Sequence, residues 1–103
     1  MVKKLASVDD FNKAKNTTKL VVIDFFAEWC GPCKHLAPKI EDMAKEHTDV
    51  DFYKIDVDEN EEVASSEGIS AMPTIKFFKN GKEIDSVVGA NETKILEAVK
   101  KHK

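Results

Sequence analysis

Two cysteines separated by two residues stand in the segment Trp29-Cys30-Gly31-Pro32-Cys33, and the chain has 2 cysteines in all. Thiols at this spacing can close a small disulfide ring and open it again, which is the chemistry of dithiol–disulfide exchange. This chemistry needs one cysteine that is exposed and ionised, and a second that can attack a mixed disulfide. It needs neither a metal nor an organic cofactor. The chain must therefore supply a place where one thiol ionises easily and a second thiol lies within reach.

The predicted elements place this motif between a buried strand and a long helix. Residues 20–27 are apolar on both faces apart from Asp24, which is typical of a buried parallel strand. Apolar residues at helical spacing then predict a helix over 32–47. Cys30 thus lies at or beside the helix N-cap, where unpaired N–H groups and about half a positive charge favour a thiolate. Cys33 lies one turn further on and faces inward, so we expect Cys30 to attack and Cys33 to resolve.

Strand and helix patterns alternate along the rest of the chain and predict a single α/β domain over residues 1–103. The expected strands are 2–6, 20–27, 51–57, 74–79 and 82–88, and the expected helices are 7–11, 32–47, 61–67 and a last one capped by Asn91. Asn80-Gly81 predicts a hairpin between the last two strands. The early crossovers imply parallel pairing. The predicted architecture is a mixed central sheet of about five strands, with four helices on its two faces.

Charge and hydropathy argue against nucleic-acid and membrane functions. The chain has 19 acidic and 16 basic residues, and all the basic ones are lysine, whereas arginine suits bidentate phosphate or guanine recognition best. Its longest strongly apolar run, residues 20–23, is far shorter than the roughly 20 residues that span a bilayer. No apolar segment follows the first lysines, so we expect no export signal. A lone CxxC pair without such a signal predicts a reducing, cytoplasmic setting.

Two other interpretations of the cysteine pair are open at this stage. A zinc site needs four protein ligands, or three and a water, but the sequence has no second CxxC pair. Of the histidines, His35 is too close to the cysteines to join both on one regular helix, and His102 is near the chain end. We therefore expect no metal. The second alternative is a pair of inert buried thiols, which the sequence around Gly31-Pro32 at a helix start does not favour.

Asp24 interrupts an apolar strand six residues before Cys30. A carboxyl group buried without a partner should have a raised pKa. Asp24 is then a candidate to accept and return the Cys33 proton through water. Lys54, inside the third predicted strand, is its candidate counter-charge. The alternatives are that Asp24 lies on a partly wet face or caps a local turn, and that Lys54 simply points outward.

Pro73 follows Met72 and precedes the fourth predicted strand. It is either an ordinary proline at a strand entry or a cis proline that faces the cysteines. The residues alone leave both possibilities open.

With these residues together, the chain resembles the thioredoxin family along nearly its whole length. The segments that carry the resemblance are 22–34 (VIDFFAEWCGPCK), 54–58 (KIDVD), 70–74 (SAMPT), 78–81 (FKNG) and 88–91 (VGAN). Their order and spacing are specific, and 56–58 and 72–74 look more eukaryotic than bacterial. The chain departs from the family at Phe26, where a second tryptophan is common, and at His35, which is either a solvated helix residue or a group that modulates the charge of the site.

The resemblance implies more than the residues show by themselves. Pro73 would be cis, and Met72 would offer its backbone to an extended target segment. A flat apolar docking surface around Cys30 would consist of Trp29, Gly31, Pro32, Met72, Pro73, Gly89 and Ala90. Electrons would come from a thioredoxin reductase that uses NADPH, which this chain would not itself bind. We expect a monomer, or a weak dimer through this surface.

The predicted function is therefore that of a general protein disulfide reductase, a thiol-disulfide oxidoreductase without a cofactor. One alternative is an oxidase or isomerase of the protein disulfide isomerase kind, although Gly31-Pro32 suits a reductant. The other is a binding module in which the redox chemistry is incidental.

Overall fold

The computed structural model describes all residues from Met1 to Lys103. Its five strands are β1 (Lys3–Lys4), β2 (Val21–Phe26), β3 (Asp51–Asp56), β4 (Thr74–Lys79) and β5 (Lys82–Val88). Its four helices are α1 (Val8–Lys15), α2 (Gly31–Glu46), α3 (Glu61–Ser66) and α4 (Glu92–His102). The predicted order of elements is confirmed throughout, and so is the fold class.

The strands form one mixed sheet in the order β1-β3-β2-β4-β5. β2 is parallel to β3, and β3 is parallel to β1, as the crossovers predict. β4 runs antiparallel to β2 and to β5, so antiparallel pairing begins one strand earlier than the hairpin alone indicates. β2 is therefore the central strand, and the cysteine pair follows its C-terminal end.

Two apolar layers cover the two faces of the sheet. On one face, α2 and α4 pack through Leu36, Ile40 and Ile95. On the other face, α1 and α3 pack through Phe11 and Val63, with both cysteines in the same layer. Because helices lie on both sides, β2 is buried from Val21 to Phe25, which explains why its residues are apolar on both faces apart from Asp24.

Side-chain hydrogen bonds fix the starts of α1 and α4. The Ser7 hydroxyl accepts a hydrogen bond from the Asp10 amide at 3.0 Å, and the Asn91 side chain accepts one from the Lys94 amide at 3.1 Å. Both side chains therefore cap helices, as predicted for Asn91. Two elements differ from the prediction by more than one residue at an end: β1 stops at Lys4, and α1 continues to Lys15. Phe11 is the only buried residue of α1, so no apolar repeat marks where this helix ends.

Candidate active site

The cysteine pair lies at the start of α2 and forms a disulfide, with 5.3 Å between the two Cα atoms. Cys30 is the N-cap residue, and its Sγ accepts a hydrogen bond from the Cys33 amide at 3.2 Å. Pro32 occupies the first turn, where its missing N–H removes no helical hydrogen bond. The helix thus offers Cys30 a backbone donor and the positive end of its dipole, both of which stabilise a thiolate in the reduced state.

Both cysteines are buried, which corrects the expectation that one would be exposed. Cys30 is 5% exposed and Cys33 is 3% exposed. The N-cap conformation folds Cys30 back over the first turn of the helix, and the Met72 carbonyl oxygen lies 3.7 Å from its sulfur. Cys30 therefore has little exposed surface in the oxidised state, and Met72 lies close to its sulfur.

A small cavity of about 90 Å³ lies behind the disulfide and contains the side chain of Asp24. Its lining consists of Asp24, Phe26, Ala27, Cys33, Lys34, Ala37 and Lys54. Asp24 Oδ1 is buried and has no hydrogen-bond partner. Burial raises the pKa of Asp24 from 3.8 to about 7, and the nearby Lys54 opposes this shift. A carboxyl group that titrates near neutrality therefore shares one cavity, large enough for water, with the inner cysteine.

Lys54 lies directly across the β2–β3 ladder from Asp24. Its Nζ is 5.9 Å from the centroid of the Phe26 ring and lies over the face of that ring. Lys54 makes no hydrogen bond to Asp24, so it acts on the carboxyl group through its charge alone. Lys54 is half-buried at the cavity and not an outward-pointing surface lysine.

The segment between α3 and β4 approaches the cysteines from the opposite side. The Met72–Pro73 peptide bond is cis, as the family resemblance implies. The Pro73 carbonyl accepts a hydrogen bond from the Gly89 amide at 2.8 Å, and the Thr74 hydroxyl donates one to Ala71 O at 2.6 Å. Pro73 itself is buried, so it supports the expected docking surface from below and is not exposed on it.

The other expected members of the docking surface are accessible. Gly31, Pro32 and Ala90 are exposed, and Met72 and Gly89 are partly exposed. Trp29 is 69% exposed, and its indole N–H donates a 2.8 Å hydrogen bond to Asp58, which holds the ring beside the disulfide.

Two residues of this region were not predicted. Val88 is 65% exposed at the end of β5, where it pairs with Thr74, and the strand alternation of residues 82–88 could have indicated it. The role of Asp58 as the hydrogen-bond acceptor of Trp29 has no sequence signature, because the two residues are 29 positions apart.

None of the three histidines forms a hydrogen bond with either cysteine. His35 is exposed on α2, whereas His47 is buried at the end of that helix and contacts Lys103. His102 contacts Asp85 on β5. No group of three or more His, Cys, Asp or Glu side chains has the arrangement of a metal site. None of the four helices has the length and apolar character needed to cross a bilayer.

Comparisons with known proteins agree with this geometry. The thioredoxin family model matches residues 2–101. A thioredoxin of Geodia cydonium is 56% identical over 100% of both chains, and thioredoxin-1 of Saccharomyces cerevisiae is 50% identical over 96% of both. The crystal structure of Fasciola hepatica thioredoxin superimposes with a TM-score of 0.95 at 50% identity, covering 99% of this chain and 100% of that one.

One further similar structure comes from work on how the thiol of a yeast mitochondrial 1-Cys peroxiredoxin is resolved via glutathione and thioredoxin systems. It superimposes with a TM-score of 0.92 at 35% identity, over 97% of this chain and 94% of that one. The family model and the high identities over whole chains, together with the bonded Cys30–Cys33 pair at a helix start, are sufficient for an assignment. The chain belongs to the thioredoxin family and is a thiol-disulfide oxidoreductase that acts by dithiol–disulfide exchange.

Proposed function

We propose that this protein is a general reductant of protein disulfides and that Cys30 and Cys33 carry out its two steps. The Cys30 thiolate attacks one sulfur of a target disulfide, forms a mixed disulfide and releases the other target sulfur as a thiolate. Cys33, once deprotonated, attacks Cys30 Sγ, closes the ring and releases the second target thiolate. The target gains two electrons and, after both thiolates are protonated, two protons; the chain loses the same number.

The observation that carries these roles is the different position of the two sulfurs at one helix start. Cys30 caps the helix and accepts the Cys33 amide, so its thiolate is stabilised, and it lies beside the exposed Trp29 and Pro32. Cys33 lies inside and lines the cavity with Asp24. The outer sulfur is therefore suited to meet the target, and the inner sulfur is suited to resolve.

Asp24 is the proposed base for Cys33, acting through water in the cavity. Its pKa of about 7 lets it accept a proton at neutral pH and return it in the reverse reaction. Lys54 stabilises the ionised form of this carboxyl group, which keeps its pKa from rising further.

The docking surface is the proposed binding site for an extended target segment. The Met72 carbonyl lies 3.7 Å from Cys30 Sγ and can accept a backbone hydrogen bond from a target. Pro73 fixes the direction of that carbonyl from below. The apolar contacts are proposed to come from Trp29, Gly31, Pro32, Met72, Gly89, Ala90 and the added Val88.

The wider setting follows from the family. We infer that residues 1–103 act as one domain and that the spent disulfide is reduced again by a thioredoxin reductase using NADPH. Thioredoxins work through their cysteine pair without a cofactor, and their targets are proteins that contain disulfides. The peroxiredoxin context of one similar structure makes peroxiredoxins a reasonable first target class to test. A cytoplasmic, monomeric electron carrier fits these proposals.

A trapping experiment tests the order of the two cysteines. Reduced Cys33→Ser should accumulate a mixed disulfide between Cys30 and a chain of disulfide-bonded insulin, or a peroxiredoxin in its disulfide form, seen as a mass increase that dithiothreitol removes. Cys30→Ser is the matched control and should form no adduct and reduce no insulin. Adduct formation by Cys30→Ser, or its absence from Cys33→Ser while the wild type reduces insulin, would contradict the proposed roles. A wild type that binds the target but reduces nothing would support the binding-module alternative.

A further inference from the structure

One buried lysine of β4 takes no part in the proposed chemistry. Lys76 is 9% exposed on the face of the sheet that packs against α3. Its Nζ donates hydrogen bonds to the Glu67 carbonyl at 2.8 Å and to Glu83 Oε1 at 2.8 Å, and it lies 3.4 Å from Glu67 Oε1. We call these three residues, Lys76, Glu67 and Glu83, the Lys76 clamp. The ammonium group is thus fully engaged by the residues around it.

A bulge in the β4–β5 hairpin brings Glu83 into the clamp. Phe77 pairs with Asp85, but Phe78 pairs with Glu83, so the register skips Ile84. Regular pairing would place Ile84 opposite Phe78, on the same face of the sheet as Lys76. The bulge exchanges that apolar residue for a carboxylate, which then reaches the ammonium group.

The clamp joins the two ends of the segment that faces the disulfide. Glu67 is the C-cap of α3, and its carbonyl is one of the groups that a helix end leaves without a partner. Lys76 lies nine positions later, in β4. Between them lie Met72, whose carbonyl is 3.7 Å from Cys30 Sγ, and Pro73. The Lys76 contact therefore closes a loop whose middle is the proposed target-binding backbone.

Burying an ammonium group beside the partly buried carboxylate of Glu67 is a costly way to gain stability alone, because desolvation offsets most of the attraction. A charged group with several fixed partners does, however, favour one arrangement of the backbone over others. The Lys76 side chain is 11% exposed and that of Glu67 is 17% exposed, so this pair is little screened by solvent.

We propose that Lys76 is a positioning residue for target binding: the clamp holds residues 68–73 so that the Met72 backbone is set at the distance from Cys30 that an extended polypeptide requires. This inference rests on the proposed function, because it assigns target docking to Met72. Two kinds of disulfide substrate should then behave differently. Reduction of a polypeptide disulfide depends on the position of residues 68–73, whereas a small aromatic disulfide such as DTNB reaches Cys30 without them.

The test compares Lys76→Met, which keeps the length of the side chain, with Lys76→Arg, which keeps its charge and donors. Lys76→Met should raise KM for insulin reduction about three- to tenfold with little change in kcat, and should leave the rate with DTNB unchanged. In Lys76→Arg, the KM for insulin reduction should stay much closer to the wild-type value. Glu83→Gln removes only the half-exposed arm of the clamp and should show a smaller rise in KM in the same direction. Lys4→Met is the matched control, because Lys4 makes a 2.8 Å pair with Glu59 at the far edge of the sheet.

Amide hydrogen exchange of the oxidised proteins gives a readout that does not depend on activity. The Gly68 and Ile69 amides donate to Ser65 and Ala64, and their exchange should become faster in Lys76→Met but not in Lys4→Met. Unchanged exchange at these amides would overturn the clamp. Faster exchange with an unchanged KM for insulin would overturn the role of the Lys76 clamp in target binding. An equal loss of reduction rate with insulin and with DTNB would overturn it as well. A wild type that reduces DTNB but not insulin would instead contradict the proposed function, and the exchange result would still decide the clamp.

Discussion

Replacing Asp24 by asparagine removes one ionisable group from the middle of the sheet and leaves its shape almost unchanged. Burial raises the pKa of this carboxyl group to about 7 in the folded chain, against an ordinary value of 3.8. Between these two pH values the folded chain binds a proton that the unfolded chain has lost. The free energy of unfolding of the wild type should therefore fall as the pH rises through this range, and Asp24→Asn should escape that fall.

The size of the effect follows from the difference of about 3 pKa units between the two states, which corresponds to about 4 kcal/mol once the pH exceeds the folded value. The loss begins at about pH 4 and levels off above about pH 8, so between about pH 5 and about pH 8 the wild type should lose roughly 2 to 3 kcal/mol relative to the variant. The asparagine amide has its own cost of burial, but that cost is independent of pH. The change with pH, and not the offset, is therefore the quantity to measure.

Urea unfolding of the oxidised proteins, followed by far-UV circular dichroism, measures this directly. The disulfide removes both cysteines from the titration. The urea midpoint of Asp24→Asn should move away from that of the wild type by about 2 M across this pH range. Asp42→Asn is the control, because Asp42 is an exposed carboxylate on α2, and its midpoint should follow the wild type at every pH.

The opposite result is equally clear. If the difference in urea midpoint between Asp24→Asn and the wild type stays constant from about pH 5 to about pH 8, or becomes smaller, Asp24 ionises normally inside the fold. Its assignment as a base for Cys33 near neutral pH would then have no basis.

Three further predictions concern other parts of the molecule. Lys54→Met should raise the pKa of Asp24 above its wild-type value of about 7, because the charge of Lys54 lowers it; infrared absorption of the carboxyl group measures this, and an unchanged value would exclude the interaction. The hydrogen bond from His102 lowers the pKa of Asp85, so Asp85→Asn should lose less than about 1 kcal/mol at neutral pH, and the difference should vanish in acid below the lowered pKa. Thermal unfolding of Asp85→Asn and the wild type at neutral pH and in acid measures this difference, and an equal loss of stability under both conditions would contradict the prediction. Ile40→Val, at a site 1% exposed, should lower the free energy of unfolding by about 1 kcal/mol in urea, and no measurable loss would show that the core repacks around the missing group.

The features that could be predicted from the sequence are those that neighbouring residues determine. Cys30 and Cys33 are placed by one helix start, and Asn80-Gly81 forms its hairpin with Asn80 at φ 56° and Gly81 at φ 79°. Asp24 was identifiable because it breaks the apolar run of a buried strand. Its raised pKa is a consequence of that burial alone.

The features that could not be predicted depend on how distant strands align. Lys76 lies in an apolar strand like Asp24, but its partners come from the end of α3 and from a bulge in β5. The sulfur of Cys30 lies 3.7 Å from the carbonyl oxygen of Met72, which is 42 positions away. A single sequence contains no local pattern for such pairings, because the register of the strands decides them.

The outer strands of the sheet have a consequence for self-association. Trp29 and Val88 are exposed apolar side chains, and unpaired strand edges are the usual route by which copies of such a chain associate. At one edge, β1 offers only 2 residues, both exposed lysines. At the other, β5 carries charged side chains and is bent by the bulge at Ile84. The sheet is thus a poor template for a further strand at both edges, so pairing of two copies of the chain through their strand edges is disfavoured.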